Sequence, residues 1–221
     1  MITIAVADYG AGNLVSIARA LEVVGAQPVV VRDAEALRGA DALIVPGVGA
    51  AGPAMDRLRR RGLVEPIRAW IAAGRPFLGI CLGLQLLFDG SDEDGALTLG
   101  ALAGRTVRLD GAPTLPHIGW NSVDQLVAGH PLLAGIEPGT AFYFVHSYVV
   151  APRDPAIVLA ESEHGSRFPA AIAAGNLLGV QFHPERSGPD GLRLLANFVA
   201  IAAGSVAGVS QGAGARAEVP A

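Results

Sequence analysis

The chain has 221 residues, a net charge of −4, and arginine at all 16 of its basic positions. With 51% apolar and 16% charged residues, it can bury one core with both faces of a sheet covered, and it offers no broad positive surface to a nucleic-acid backbone. The single cysteine excludes an intramolecular disulfide, the start "MITIAVADYG" carries no secretory pattern, and every apolar run breaks before the roughly 18 residues a membrane span needs, so a cytoplasmic protein without a membrane partner is expected.

In chain order, "ITIAVA" predicts a strand and Leu14 to Val24 a helix stopped by Gly25. "PVVV", a short helix, "ALIVP", helical segments to Ala73 with Pro53 near a helix start, and "FLGI" continue the rhythm of βαβ units around a buried parallel sheet. Arg57, Arg59, Arg60 and Arg61 read as the solvated end of one helix. From Leu99 the texture changes to closely spaced strands, "RTVRL", "AFYFVHSYVV", "AIVLAE" and "LLGVQFH", which predict antiparallel or mixed pairing. Gly175-Asn176 suits a hairpin turn. A last helix is expected from about Asp190 to Ile201 on the stripe Leu192, Leu195, Ala196 and Val199. The expected architecture is α/β, a mostly parallel central sheet flanked by helices with additional antiparallel strands. It forms one domain over residues 1–203, and the Gly/Ala/Ser-rich residues 204–221 are expected to be a mobile tail.

Three segments carry chemistry. "GICLG" has the glycine-x-nucleophile-x-glycine spacing of a strained strand-to-helix elbow that presents Cys81 at the end of a strand. Free cysteine is equally at home packed in a core, so the decamer alone leaves both roles open. "FHPE" supplies a base: in extended backbone His183 and Glu185 project from one face, where the carboxylate can fix the imidazole tautomer and leave the other nitrogen for the thiol. "PGVGAAG", after the strand "ALIV", can bring backbone N–H groups close to a developing oxyanion. No Cys/His spacing suggests a metal.

The elbow, the His-Pro-Glu segment and the glycine loop occur in the order of the class I glutamine amidotransferases, and the combination resembles that family. "DYGAGNL" (residues 8–14), "PGVGA" (46–50), "GICLGLQLLF" (79–88), "PHIGWN" (116–121), "YFVHSY" (143–148) and "GVQFHPERS" (179–187) are similar to the branch that serves as glutaminase subunits of imidazole glycerol phosphate synthases, over residues 3–200. The resemblance implies a triad of Cys81, His183 and Glu185 that hydrolyses glutamine through a thioester. It also implies oxyanion donors at Leu82 and at Val48–Gly49, and substrate contacts from Gln85, Ser147 and Tyr148. It implies no cofactor, and a (β/α)8-barrel cyclase as heterodimer partner in histidine biosynthesis, with Trp120 and Asn121 at the interface. Ammonia set free in water would be protonated and lose its nucleophilicity, so direct delivery to a partner makes chemical sense. Ala51, Arg186 and His164 depart from the residues usual in the family at their positions. A stand-alone cysteine hydrolase of γ-glutamyl substrates, or a regulatory subunit without catalysis, are the competing readings.

Overall fold

The structure is a computed structural model that describes residues 1–125 and 127–213, with side chains as far as residue 204. Its first half alternates as the sequence predicts: β1 (Thr3–Ala7), α1 (Leu14–Val23), β2 (Gln27–Val31), β3 (Ala42–Gly47), α2 (Ala51–Arg60), α3 (Val64–Ala72), β4 (Phe77–Cys81) and a single helical turn, α4 (Leu82–Gln85). The short helix expected between β2 and β3 is absent: residues 33–40 form turns, begun by Asp33, whose side chain accepts from the Ala36 N–H at 2.9 Å. Asn13 caps α1 by accepting from the Ser16 N–H, and Gly25, at φ +81°, lies just beyond the helix end.

The second half is built from β5 (Gly90–Ser91), β6 (Gly104–Arg108), β7 (His117–Gln125), β8 (Thr140–His146), β9 (Tyr148–Pro152), β10 (Val158–His164), β11 (Ser166–Ala174) and β12 (Leu177–Val180), followed by α5 (Gly188–Ala213). Helix α5 is longer than the stripe Asp190 to Ile201. Its backbone continues through 205–213, the first part of the segment expected to be a tail, and residues 214–221 lie outside the described residues.

Nine strands form one sheet in the order β2-β1-β3-β4-β12-β11-β10-β7-β8. The run from β2 to β12 is parallel, and the remaining pairings are antiparallel. Gly175-Asn176 makes the β11–β12 hairpin, with Ala174 paired to Leu177. A second, three-stranded sheet, β5-β6-β9, packs beside it. Alternation along the parallel strands supplies two cores. Ile4, Val6, Ile44 and Ile80 meet Ile17 and Leu21 of α1 and Leu194, Leu195 and Phe198 of α5. Ala5, Leu43, Val45 and Phe77 meet Met55 and Leu58 of α2 and Ile67 and Trp70 of α3. The parallel strands are apolar on both faces because helices cover both faces.

Register decides what this sheet presents. Gly47 pairs with Cys81, and Val180 with Ile80, so the residues just past β3, β4 and β12 emerge side by side at the carboxyl edge of the parallel strands. That edge is where open α/β sheets bind ligands.

Candidate active site

Cys81 ends β4 and precedes α4 with φ 53° and ψ −108°, the one non-glycine residue at positive φ among the described residues. Such backbone costs of the order of 1–3 kcal/mol and persists only where packing enforces it. Two glycines do so here. A Cβ on Gly79 would meet the Gly83 carbonyl oxygen at 2.6 Å, and one on Gly83 would meet the Val45 carbonyl oxygen at 1.7 Å, so the strand, the turn and β3 touch backbone to backbone. The elbow predicted from "GICLG" is present, and its helix is one turn long.

The motif "DYGAGNL" braces the loop that follows β3. The Tyr9 hydroxyl donates to the Pro46 carbonyl at 2.7 Å, and burial raises its proton affinity, so it remains a neutral donor. The chain at Gly12 lies against the Pro46 ring, which a Cβ there would reach at 3.3 Å. Beside them Asp8 pairs with Arg32 at 2.7 Å, and that hydrogen bond holds its carboxyl below the usual range despite burial. Past this brace, Val48 is half-exposed and Gly49 takes φ +94°. Ala51 is buried at the start of α2, within the core that α2 and α3 share with the sheet.

His183 and Glu185 meet as expected but not by the expected backbone. Residues Pro184–Arg186 form a 3-10 turn rather than an extended strand, and Glu185 reaches back from that turn to place Oε1 2.9 Å from His183 Nδ1. Ser187 locks the turn: its hydroxyl donates to the His183 carbonyl at 2.7 Å and accepts from the Tyr143 N–H at 3.0 Å. Both side chains of the pair are buried, and neither His183 Nε2 nor Glu185 Oε2 has a hydrogen-bond partner of sound geometry. Burial opposes the imidazolium, but the nearby Cys81 sulfur and the hydrogen-bonded Glu185 carboxylate outweigh it and push the His183 pKa up to about 10. The His183 ring thus lies between the Glu185 carboxylate, which it meets through Nδ1, and Cys81, with its protonated form favoured.

A cavity of about 170 Å³ opens at Cys81, and every residue expected at the oxyanion or substrate site lines it: Val48, Gly49, Leu82, Gln85, Ser147 and Tyr148. The Gln85 amide donates to the Tyr148 carbonyl at 2.9 Å and to Gln181 Oε1 at 3.2 Å. Gln181, fully buried one residue beyond β12, then donates from Nε2 to Cys81 Sγ at 3.6 Å. Sequence reasoning missed this residue, although a glutamine inside the apolar run "LLGVQF" was a signal, since a buried amide needs partners. It also missed Glu93, a carboxylate on the cavity wall whose proton affinity burial raises.

The two residues expected at a partner interface part company. Outward positions on β7 alternate, so Ile118 and Trp120 are 60% and 59% exposed. Asn121 faces the opposite way, and its amide is committed within the chain, to the Glu163 carbonyl at 2.8 Å, to His117 and to the Ser122 N–H. Trp120 rests edge-on against Tyr143, and the Arg186 guanidinium sits over the Tyr143 ring, 4.7 Å from its centre.

The chain has similar counterparts among known proteins. Residues 5–202 match the family model described as glutamine amidotransferase class-I. The chain is similar to the imidazole glycerol phosphate synthase subunit HisH of Thermosynechococcus vestitus, 50% identical over 201 residues that cover 90% of this chain and 96% of that protein. It is likewise similar to the same-named subunits of a Cyanothece strain (52% identity, 90% and 96% covered) and of Rhodopirellula baltica (48% identity, 88% and 96% covered). Among solved structures, the fold is similar to PurLQS from Thermotoga maritima, with a TM-score of 0.72 at 21% identity over 90% of this chain and 98% of that one. A structure described as glutamine amidotransferase aligns with a TM-score of 0.70 at 24% identity over the same shares.

Proposed function

The chain belongs to the class-I glutamine amidotransferases, and we propose that within that family it is the glutaminase subunit of an imidazole glycerol phosphate synthase. The observation that carries the mechanism is the single cavity that gathers Cys81 with all six expected substrate and oxyanion residues, backed by the His183–Glu185 pair.

Cys81 Sγ attacks the γ-carbonyl carbon of glutamine, and the electron pair of the carbonyl moves to oxygen. The backbone N–H groups of Leu82 and of the Val48–Gly49 loop are the donors for that oxyanion, a contribution worth roughly 10²–10³-fold in rate per donor. His183 gives its proton to the departing nitrogen, the carbon–nitrogen bond breaks, and ammonia leaves a γ-glutamyl thioester. Water, deprotonated by the now neutral His183, then cleaves the thioester to glutamate and restores the thiol. Glu185 keeps the imidazole oriented through Nδ1 in both steps. Gln85 and Ser147–Tyr148 hold the amino-acid end, and Glu93, the carboxylate on the cavity wall, is placed to pair with its ammonium.

Ammonia passes to a (β/α)8-barrel cyclase subunit bound as a heterodimer, with the exposed Ile118 and Trp120 face of β7 as the docking surface. There it completes imidazole glycerol phosphate and an aminoimidazole carboxamide ribotide. This is an intracellular, cytoplasmic step of histidine biosynthesis that uses no cofactor on this subunit. Cys81→Ala tests the reading: the complex is expected to lose synthesis from glutamine by at least 10³-fold while synthesis from added ammonia persists. Glutamine-dependent synthesis retained in the variant would refute it.

A further inference from the structure

We propose that His117 and His146 are positioning residues that tie strand β7 to the wall of the glutamine cavity through a hydrogen-bond chain of fixed direction that ends on the Tyr148 carbonyl, the acceptor it shares with the Gln85–Gln181 arm that reaches the Cys81 sulfur. The inference rests on the glutaminase reading of that cavity.

The outer end of the chain is fixed by Asn121. Its Oδ1 accepts from the Ser122 N–H at 2.9 Å and its Nδ2 donates to the Glu163 carbonyl at 2.8 Å, so it is the amide nitrogen that faces His117 Nε2, at 3.3 Å. His117 Nε2 must therefore accept, and the proton of the neutral ring sits on Nδ1. That nitrogen lies 3.1 Å from His146 Nε2, which accepts in turn, and His146 Nδ1 donates to the Tyr148 carbonyl at 3.1 Å. A carbonyl cannot donate, so the inner end is fixed as well. Neither ring can change tautomer without setting two lone pairs or two N–H groups against each other. The same carbonyl takes the Gln85 amide, which holds Gln181, which donates to Cys81 Sγ.

Both rings are clamped and neutral. His117 lies between Phe144 (ring centres 5.1 Å apart, 23°) and His164 (4.2 Å, 15°), and His146 stands edge-on to Phe168 at 5.0 Å. Burial, with the neighbouring imidazoles adding repulsion, lowers the pKa of His117 to about 4 and of His146 to about 3.

Packing alone does not require imidazoles here. The cluster already holds Phe142, Phe144, Phe168 and Phe182, and a phenyl ring would fill the same volume without burying four ring nitrogens. What the pair adds is a donor on the Tyr148 carbonyl, whose residue lines the cavity beside Ser147 and His146. The anchor of that donor is the strand whose other face carries Ile118 and Trp120, so the docking face and the glutamine cavity share one rigid network.

The test is a double-mutant cycle in the complex with the cyclase. His146→Phe and His117→Phe keep the ring volumes and remove the chain. Each is expected to raise the glutamine KM about tenfold, the value of one hydrogen bond, measured relative to synthesis from added ammonia by the same complex. The double variant is expected to match either single one, because one chain is cut either way. Since His117 does not line the cavity, a KM within twofold of the wild type in His117→Phe, or effects that multiply, would overturn the proposal. Nitrogen-15 spectra of the wild-type imidazoles supply a readout that survives a misfolded variant. Protonated Nδ1 and bare Nε2 in both histidines support the chain, and the reverse tautomer or a cation in either refutes it. A wild-type complex that makes nothing from glutamine would instead overturn the glutaminase reading, which the spectra do not depend on.

Discussion

The His183 ring is where the electrostatics of the site can be measured as a stability. Its folded pKa, about 10, stands above the ordinary 6.5. The stabilisation from its contacts with Cys81 and Glu185 is therefore complete below pH 6.5 and is lost as pH rises through about 10. Denaturation midpoints followed across that window are expected to fall with rising pH in the wild type and to show a shallower slope in Glu185→Gln. Equal slopes would mean that the pair does not hold the proton. At this scale the sequence was legible where spacing encodes chemistry: Cys81 between its glycines, and His183 two residues from Glu185. It was illegible where the role depends on a partner far along the chain. Gln181 lies 100 residues from Cys81 and Gln85 lies 63 from Tyr148, and no local pattern links either pair. His164 stood out only as a departure from the family's usual residue, because its stacking on His117 joins two strands of the antiparallel half.

At the level of the element, the β4–α4 elbow is the feature that the backbone resists and the packing imposes. Cys81 at φ 53° costs an L-residue about 1–3 kcal/mol, whereas glycine would relieve that strain and lose about 0.5–1 kcal/mol to unfolded-state entropy. Cys81→Gly is thus expected to be more stable than Cys81→Ala by about 1 kcal/mol in urea denaturation, although both lack the thiol. An alanine variant as stable as the glycine one would show that the turn is not strained. The glycines of "GICLG" made this element readable, since few other demands place glycines on both sides of a buried cysteine. The His-Pro-Glu segment was read correctly in its outcome and wrongly in its path. Proline at the first position of a 3-10 turn is as acceptable as proline in extended chain, and sequence alone did not separate the two. Residues 33–40 begin with a cap like that of α1, Asp33 accepting from the Ala36 N–H, but Gly39 at φ +82° ends the segment before a helix is established.

Across the whole molecule, the sheet divides the labour. The parallel run from β2 to β12 supplies the carboxyl edge at which Cys81, the Val48–Gly49 loop and His183 emerge, and the antiparallel extension carries β7 with its exposed Ile118 and Trp120. The βαβ rhythm made the first part legible. The order of the antiparallel strands, with β10 between β11 and β7, was not, because pairing partners there are chosen by tertiary packing rather than by local pattern. If β7 is the docking surface, Trp120→Ala is expected to weaken association with the cyclase by at least 2 kcal/mol, about 30-fold in Kd, in a titration of the two subunits. An unchanged Kd would move the interface elsewhere.

The central claim, that Cys81 carries the γ-glutamyl group, is tested most directly by acid-quenching the complex during turnover with glutamine and weighing its peptides. The account predicts one glutamyl acyl group on the peptide that contains Cys81, absent when the thiol has been blocked beforehand. Steady turnover with that peptide unmodified, or the acyl group on another residue, would contradict it.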